Sequence, residues 1–159
     1  MELIWSDILI RLGAAIFCGG IVGWERGRQE KAAGLRTHIL VSLGAAAFTL
    51  IAIELPRSYA ETEKIEMDPT RIVQGIIGGI GFLGAGAIFR TRSTIHGLTT
   101  ASGIWVIAAA GVASGFGFFM LAIPLAVMIA LINGFFVLFD PKKDSPEESV
   151  PPPESQLDG

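Results

Sequence analysis

STIHGLTTASGIWVIAAAGVASGFGFFMLAIPLAVMIALINGFFVLF, residues 93–139, is a run of 47 residues without an Asp, Glu, Lys or Arg. As one helix it would be roughly 70 Å long at 1.5 Å per residue, more than twice the ~30 Å hydrocarbon thickness of a bilayer. The run therefore holds two crossings. Gly111, Gly115 and Gly117, with Ser114, mark the break between them. This places one span over residues 98–113 and another over 116–139, the second kinked at Pro124.

Three further segments satisfy the requirement of about 17–25 largely apolar residues. They are 3–24, which carries Asp7 and Arg11, 37–55, with Glu54 near its end, and 69–89. Asp68 and Pro69 form a helix-start signal before the last of these, as N-cap and first helical residue. The expected fold class is all-α: a polytopic membrane protein with five transmembrane helices over residues 1–139. Residues 140–159, with Pro141, Pro146 and Pro151 to Pro153 among several acids, cannot bury enough surface to order and form a disordered tail.

Composition excludes the soluble alternatives. The apolar class makes up 51%, with 20 glycines besides, and charged residues reach 17% against about 25% in a typical soluble domain. Mean hydropathy is +0.57. A soluble enzyme, a disordered chain and a nucleic-acid binder are all set aside. The lone Cys18 allows no internal disulfide and no cysteine-based metal cluster; in its apolar setting it reads as a small buried hydrophobe.

Orientation follows from the basic residues. Arg26, Arg28, Lys31, Arg36, Arg90, Arg92, Lys142 and Lys143 fall on one face of a five-span chain, and Arg11, Arg57, Lys64 and Arg71 on the other. Eight against four puts the N-terminus in the periplasm and the C-terminus in the cytoplasm. The first segment lacks a basic n-region and stays as a helix rather than a cleaved signal.

Catalytic chemistry finds little to work with. HExxH, GxSxG and Walker patterns are absent, and no enzyme activity, cofactor or metal site is expected. Gly79-Ile80-Gly81-Phe82-Leu83-Gly84 fits GxGxxG formally, but it lies inside an apolar span and follows no strand. His38 and His96 stand at predicted span ends, where a solvated interfacial histidine is the default. Arg11 has a local partner in Asp7 at i−4, and snorkelling to the outer interface is its plain account.

Two features are informative. Gly75, Gly79, Gly81, Gly84 and Gly86 crowd one span, where glycine lets helices approach closely; Gly19/Gly23 and Gly111/Gly115 share that spacing. The other reading is a broken helix lining a polar cavity. Polar groups form the second feature, since burying them in a membrane is costly and often marks function. Glu25, Arg26, Arg36 and Thr37 cluster at the cytoplasmic face, where Glu25 could pair with Arg26, Arg36 or Arg90. Asp68, Arg71, Gln74, Thr99 and Thr100 border the glycine-rich helix. With Ser102 and Asn133, the Gln and Thr residues form either one polar cluster or separate interhelical hydrogen bonds.

Three segments taken together resemble the MgtC/SapB family of bacterial membrane proteins. They are GWERGRQEKAAGLRTHILVSLGAA (residues 23–46), DPTRIVQGIIGGIGFLGAGAIFR (68–90) and HGLTTASGIW (96–105). The resemblance implies a five-helix inner-membrane domain that modulates an ion-motive partner such as the ATP synthase. It also implies support for growth under magnesium limitation or host stress. Virulence-associated members resemble the chain only in part. They add a cytoplasmic ACT-like domain after the fifth span, often carry Asn at the position of Thr99, and Cys at that of Val106. The expected partners are the lipid bilayer and a membrane protein; a small ion or solute carrier acting as a homodimer is the alternative.

Overall fold

Gly117 adopts a left-handed φ of 82° and closes the helix that runs Leu98–Phe116. Its N–H bonds the Ser114 carbonyl and the Phe118 N–H bonds the Ala113 carbonyl. These are the two bonds of a Schellman ending, which favours glycine because no Cβ resists the left-handed turn. The two long helices of the run thus part at Gly117, and Gly111 and Gly115 lie inside the first of them.

The computed structural model describes residues 4–59, 68, 70–91 and 94–137. In chain order the elements are α1 (Trp5–Arg28), α2 (Leu35–Tyr59), α3 (Thr70–Gly86), β1 (Phe89–Arg90), β2 (Ile95–His96), α4 (Leu98–Phe116) and α5 (Phe119–Val137). α1, α2 as far as Pro56, and α4 are long and apolar enough to cross a bilayer. α5 offers a shorter apolar length, Phe119–Phe135, and runs through Pro124 as one helix. The protein is an all-α membrane protein. Residues 60–67 and everything from residue 138, including the tail expected at 140–159, lie outside the described residues.

The third helix is shorter than the sequence suggests. It stops at Gly86, and Phe89 enters a small antiparallel hairpin with Phe89 opposite His96 and Arg90 opposite Ile95. The Phe89 and His96 rings stack, centroids 5.1 Å apart. Gly97 turns the hairpin into α4 with φ 86°, where a Cβ would sit 1.9 Å from the Ala87 carbonyl oxygen. No other residue type fits that corner.

α4 is the centre of the bundle, touching α1, α2, α3 and α5. Two small cores meet on it. One joins Cys18 and Val22 of α1 to Ile107 and Ala110, with Ala122 and Ala126 of α5. The other joins Ala45 of α2 and Ile80 of α3 to Ile104 and Ala108. α3 leans on α4 and touches α2 sparingly.

Close helix approach uses other glycines than those of α3. A Cβ at Gly19 would lie 2.7 Å from the His38 carbonyl oxygen, and one at Gly23 2.7 Å from the Leu35 Cα. One at Gly111 would lie 2.3 Å from the Ser42 carbonyl oxygen, and one at Gly115 2.6 Å from the Thr49 Cβ. These pairs bring α1 and α4 onto α2. Gly75, Gly79, Gly81 and Gly86 have nothing within 4 Å of such a Cβ, and Gly84 has only ordinary contact with Ala101. Of the five glycines expected to pack helices, Gly84 alone meets another helix among the described residues, and Gly75, Gly79, Gly81 and Gly86 face open space.

Candidate functional site

The end of α1 carries charge into the interior. Arg26 is 2% exposed and its neighbour Glu25 17%. Their Nε and Oε2 atoms lie 3.2 Å apart, at ion-pair distance but without hydrogen-bond alignment. Gln29, one turn on, donates from Nε2 to Glu25 Oε1. The sequence allowed Glu25 to pair with Arg26, Arg36 or Arg90. It pairs with Arg26, within α1, so the bridge stitches no two helices together. Arg36 is exposed.

His38 corrects the expectation of a solvated histidine. It is fully buried, with Nδ1 2.9 Å from the Gly34 carbonyl oxygen and Nε2 without a hydrogen-bond partner. Ser42 lies one turn further on the same face, also fully buried and unpartnered at Oγ. Thr49 continues that face and returns its hydroxyl to the Ala45 carbonyl at 2.8 Å. On the facing helix Ser114 does the same with Ala110. His38, Ser42 and Thr49 form a buried polar seam along α2 that residue-by-residue reading missed, and Ser114 is buried on α4. The signal was present as small residues, Gly103, Gly111 and Gly115, spaced along α4 to receive it.

Of the two readings of Gln74, Thr99, Thr100, Ser102 and Asn133, one polar cluster or separate interhelical hydrogen bonds, the single cluster does not assemble. Gln74 lies near the start of α3 and Thr99 and Thr100 at the start of α4, and successive helices run in opposite directions, so the two sets occupy opposite ends of the bundle. Gln74, Thr99 and Ser102 are exposed, and Ser102 donates to the Leu98 carbonyl at 2.9 Å. Asn133 has a buried, unpartnered Nδ2 in α5.

Several cavities flank α3. A cleft of about 750 Å³ separates it from α2, lined by Leu40, Gly44, Phe48, Gly75 and Gly79 with Arg71 among them. A second, of about 450 Å³, brings Thr37 of α2, Gly86 of α3 and Thr100 of α4 onto one wall. Thr37, Gly86 and Thr100, all selected from the sequence, thus line one cavity.

At the start of α3 the Asp68 carboxylate accepts from the Thr70 N–H at 2.9 Å, and the Arg71 N–H bonds the Asp68 carbonyl. This is the cap geometry expected of Asp68. Hydrogen bonds from Thr70, side chain first and backbone next, with the Arg71 charge behind them, hold the Asp68 carboxyl below its ordinary value.

The MgtC family model matches residues 12–140. The chain is 39% identical over 131 residues to YhiD of Escherichia coli (strain K12), whose name proposes magnesium transport. That alignment covers 82% of this chain and 61% of YhiD. It is 36% identical over 151 residues to SapB of Bacillus subtilis (strain 168), covering 92% and 65%. With MgtC of Brucella abortus (strain 2308) it shares 38% over 122 residues, covering 77% and 48%. The chain therefore spans less than two thirds of the length of these relatives. No solved structure matches it.

Proposed function

The chain belongs to the MgtC family, and on that premise we propose that it is a non-enzymatic regulator in the bacterial inner membrane. It docks an ion-motive membrane partner such as the ATP synthase and supports growth when magnesium is scarce or the host imposes stress. The observation that carries this reading is the α2–α3 cleft of about 750 Å³, with glycines on both walls. Helices associate in lipid through backbone approach rather than hydrophobic force, and Gly44, Gly75 and Gly79 offer a partner helix that approach. Glu25, Arg26, Arg36 and Thr37 serve the cytoplasmic side of the interaction, and Asp68, Arg71, Gln74, Thr99 and Thr100 border it.

The proposed orientation is N-terminus periplasmic and C-terminus cytoplasmic, from the eight-to-four distribution of basic residues. A reporter fused after Lys143 reads cytoplasmic and one inserted at Glu63 periplasmic; the reverse for the first breaks the five-span count. For the docking reading, the protein is captured from detergent with its membrane partners under low Mg²⁺, beside Gly79→Leu. Capture of the ATP synthase lost in the variant at equal abundance supports it; no partner in either form sinks it.

A second reading, an ion or solute carrier working as a homodimer, is favoured by the cavity where Thr37 and Thr100 meet. Purified protein in liposomes separates the two: flux of an ion or small solute supports the carrier, silence across a broad panel removes it.

A further inference from the structure

His38 occupies the first turns of α2, and glycines from two other helices make its room. A Cβ on Gly23 would come within 3.2 Å of the His38 Cβ, and one on Gly103 would lie 3.6 Å from Nε2. The Gly34 carbonyl beside Nδ1 is an acceptor, so Nδ1 carries the hydrogen of the neutral ring and Nε2 the bare lone pair. That lone pair has no hydrogen-bond partner and faces Gly103, which has no side chain to offer.

The charges around the ring come from α1. The Arg26 guanidinium acts on it, and Glu25 stands behind Arg26 at 3.2 Å. α4, packed on the opposite side, contains no Asp, Glu, Lys, Arg or His between Leu98 and Phe116. On α2 itself Arg36 is exposed, and Glu54 lies sixteen residues away toward the other end.

We propose that His38 is a proton-operated latch at the junction of α1, α2 and α4. The neutral ring lets the three helices close over it, and a proton on Nε2 opens them. The proton, taken from water, forms one N–H bond and breaks none in the protein, and the ring gains one positive charge. In the closed junction that N–H has no acceptor and the charge lies beside Arg26 without water, a costly arrangement. In an opened junction water satisfies both. The closed form then binds fewer protons than the open one. Its share holds at high pH and falls as pH drops, by up to tenfold per unit, within the range of about pH 5–8 where histidine changes charge. The latch stands or falls independently of any partner in the α2–α3 cleft.

Cys18 supplies the readout. It is the sole cysteine of the sequence, fully buried, and packs against Ile107 and Ala110 of α4, so it reports separation of α1 from α4. The full chain in liposomes of phosphatidylethanolamine and phosphatidylglycerol is alkylated with N-ethylmaleimide from about pH 8 to 5.5, each rate divided by that of the unfolded chain. The wild type should gain about tenfold or more on acidification, and His38→Asn, whose amide can still reach Gly34, should stay flat. Should that variant fail to fold, His96→Gln leaves a single imidazole, and its NMR titration must track the labelling. A flat wild type overturns the latch. So does an equal gain in His38→Asn, or an imidazole that stays neutral while labelling rises.

Discussion

Arg11 donates from Nη1 to the Gly115 carbonyl oxygen, 2.8 Å away and 104 residues later in the chain. The end of α4 explains the need. Phe118 and Gly117 already serve the Ala113 and Ser114 carbonyls, and Gly115 is the next acceptor left without an intrahelical donor. A cation there also meets the negative end of the helix dipole. Arg11→Leu should cost about 1.5–3 kcal/mol, the range for a hydrogen bond to a charged group. Arg11→Lys should restore part of it, as a point charge without the planar fork. Thermal unfolding in detergent measures both; an unchanged midpoint for Arg11→Leu would contradict the assignment.

Two glycines should respond in opposite ways to one methyl group. Gly111→Ala drives a Cβ to 2.3 Å from the Ser42 carbonyl oxygen and should destabilise by at least the ~1–3 kcal/mol typical of overpacking. Gly79→Ala meets open space and should stabilise the free chain by up to about 1 kcal/mol through helix propensity. Equal effects on unfolding would show that the α2–α4 contact is looser than described.

The charges around the α1–α2 connection divide the same way. Glu25→Ala leaves Arg26 buried without its carboxylate, and breaking such a pair costs on the order of 3 kcal/mol. Membrane abundance should fall. Arg36→Ala, on an exposed side chain, should change stability by under about 0.5 kcal/mol. Lost growth at low Mg²⁺ with normal abundance in Arg36→Ala would mark a docking residue. Normal growth and abundance would remove Arg36 from the site.

Asp68 predicts a pH dependence of known sign. Its carboxyl is held below the ordinary value near 3.8. Its contribution to the start of α3 is therefore complete above that value and lost only as pH falls through the lower, folded one. Amide exchange in the first turn of α3 should be independent of Asp68 ionisation from about pH 5 upward. Asp68→Asn keeps an acceptor and should be mild, whereas Asp68→Ala should raise exchange. A protection step near pH 6 would assign the capping to some other group.

Much of the architecture was legible because hydropathy and charge are local properties. Residues 93–139 had to hold two helices, and Asp68 had to begin one. What escaped were features set by neighbours distant in sequence. Phe89 reads as apolar span, yet it pairs with His96 across a hairpin. His38 beside a basic loop reads as solvated, and only the approach of Gly19, Gly23 and Gly103 buries it. The α3 glycines resemble Gly111 and Gly115 in spacing, and nothing local says which set finds a helix to touch. For the site, Thr37 and Thr100 line one cavity, whereas Gln74 and Thr99 lie at opposite ends because adjacent spans alternate in direction.

The central place of α4 carries a consequence for biogenesis. When the ribosome has delivered only residues 1–97, Arg11 has no Gly115 to cap and the Ser42 backbone has no Gly111 against it. α3 has no surface on which to lean. Until α4 emerges, α1 and α2 can pack on each other through Gly19 and Gly23, while Arg11 lacks its acceptor and α3 its support. Emergence of the fourth helix resolves all of these at once, so assembly of this small protein is gated by a single late segment.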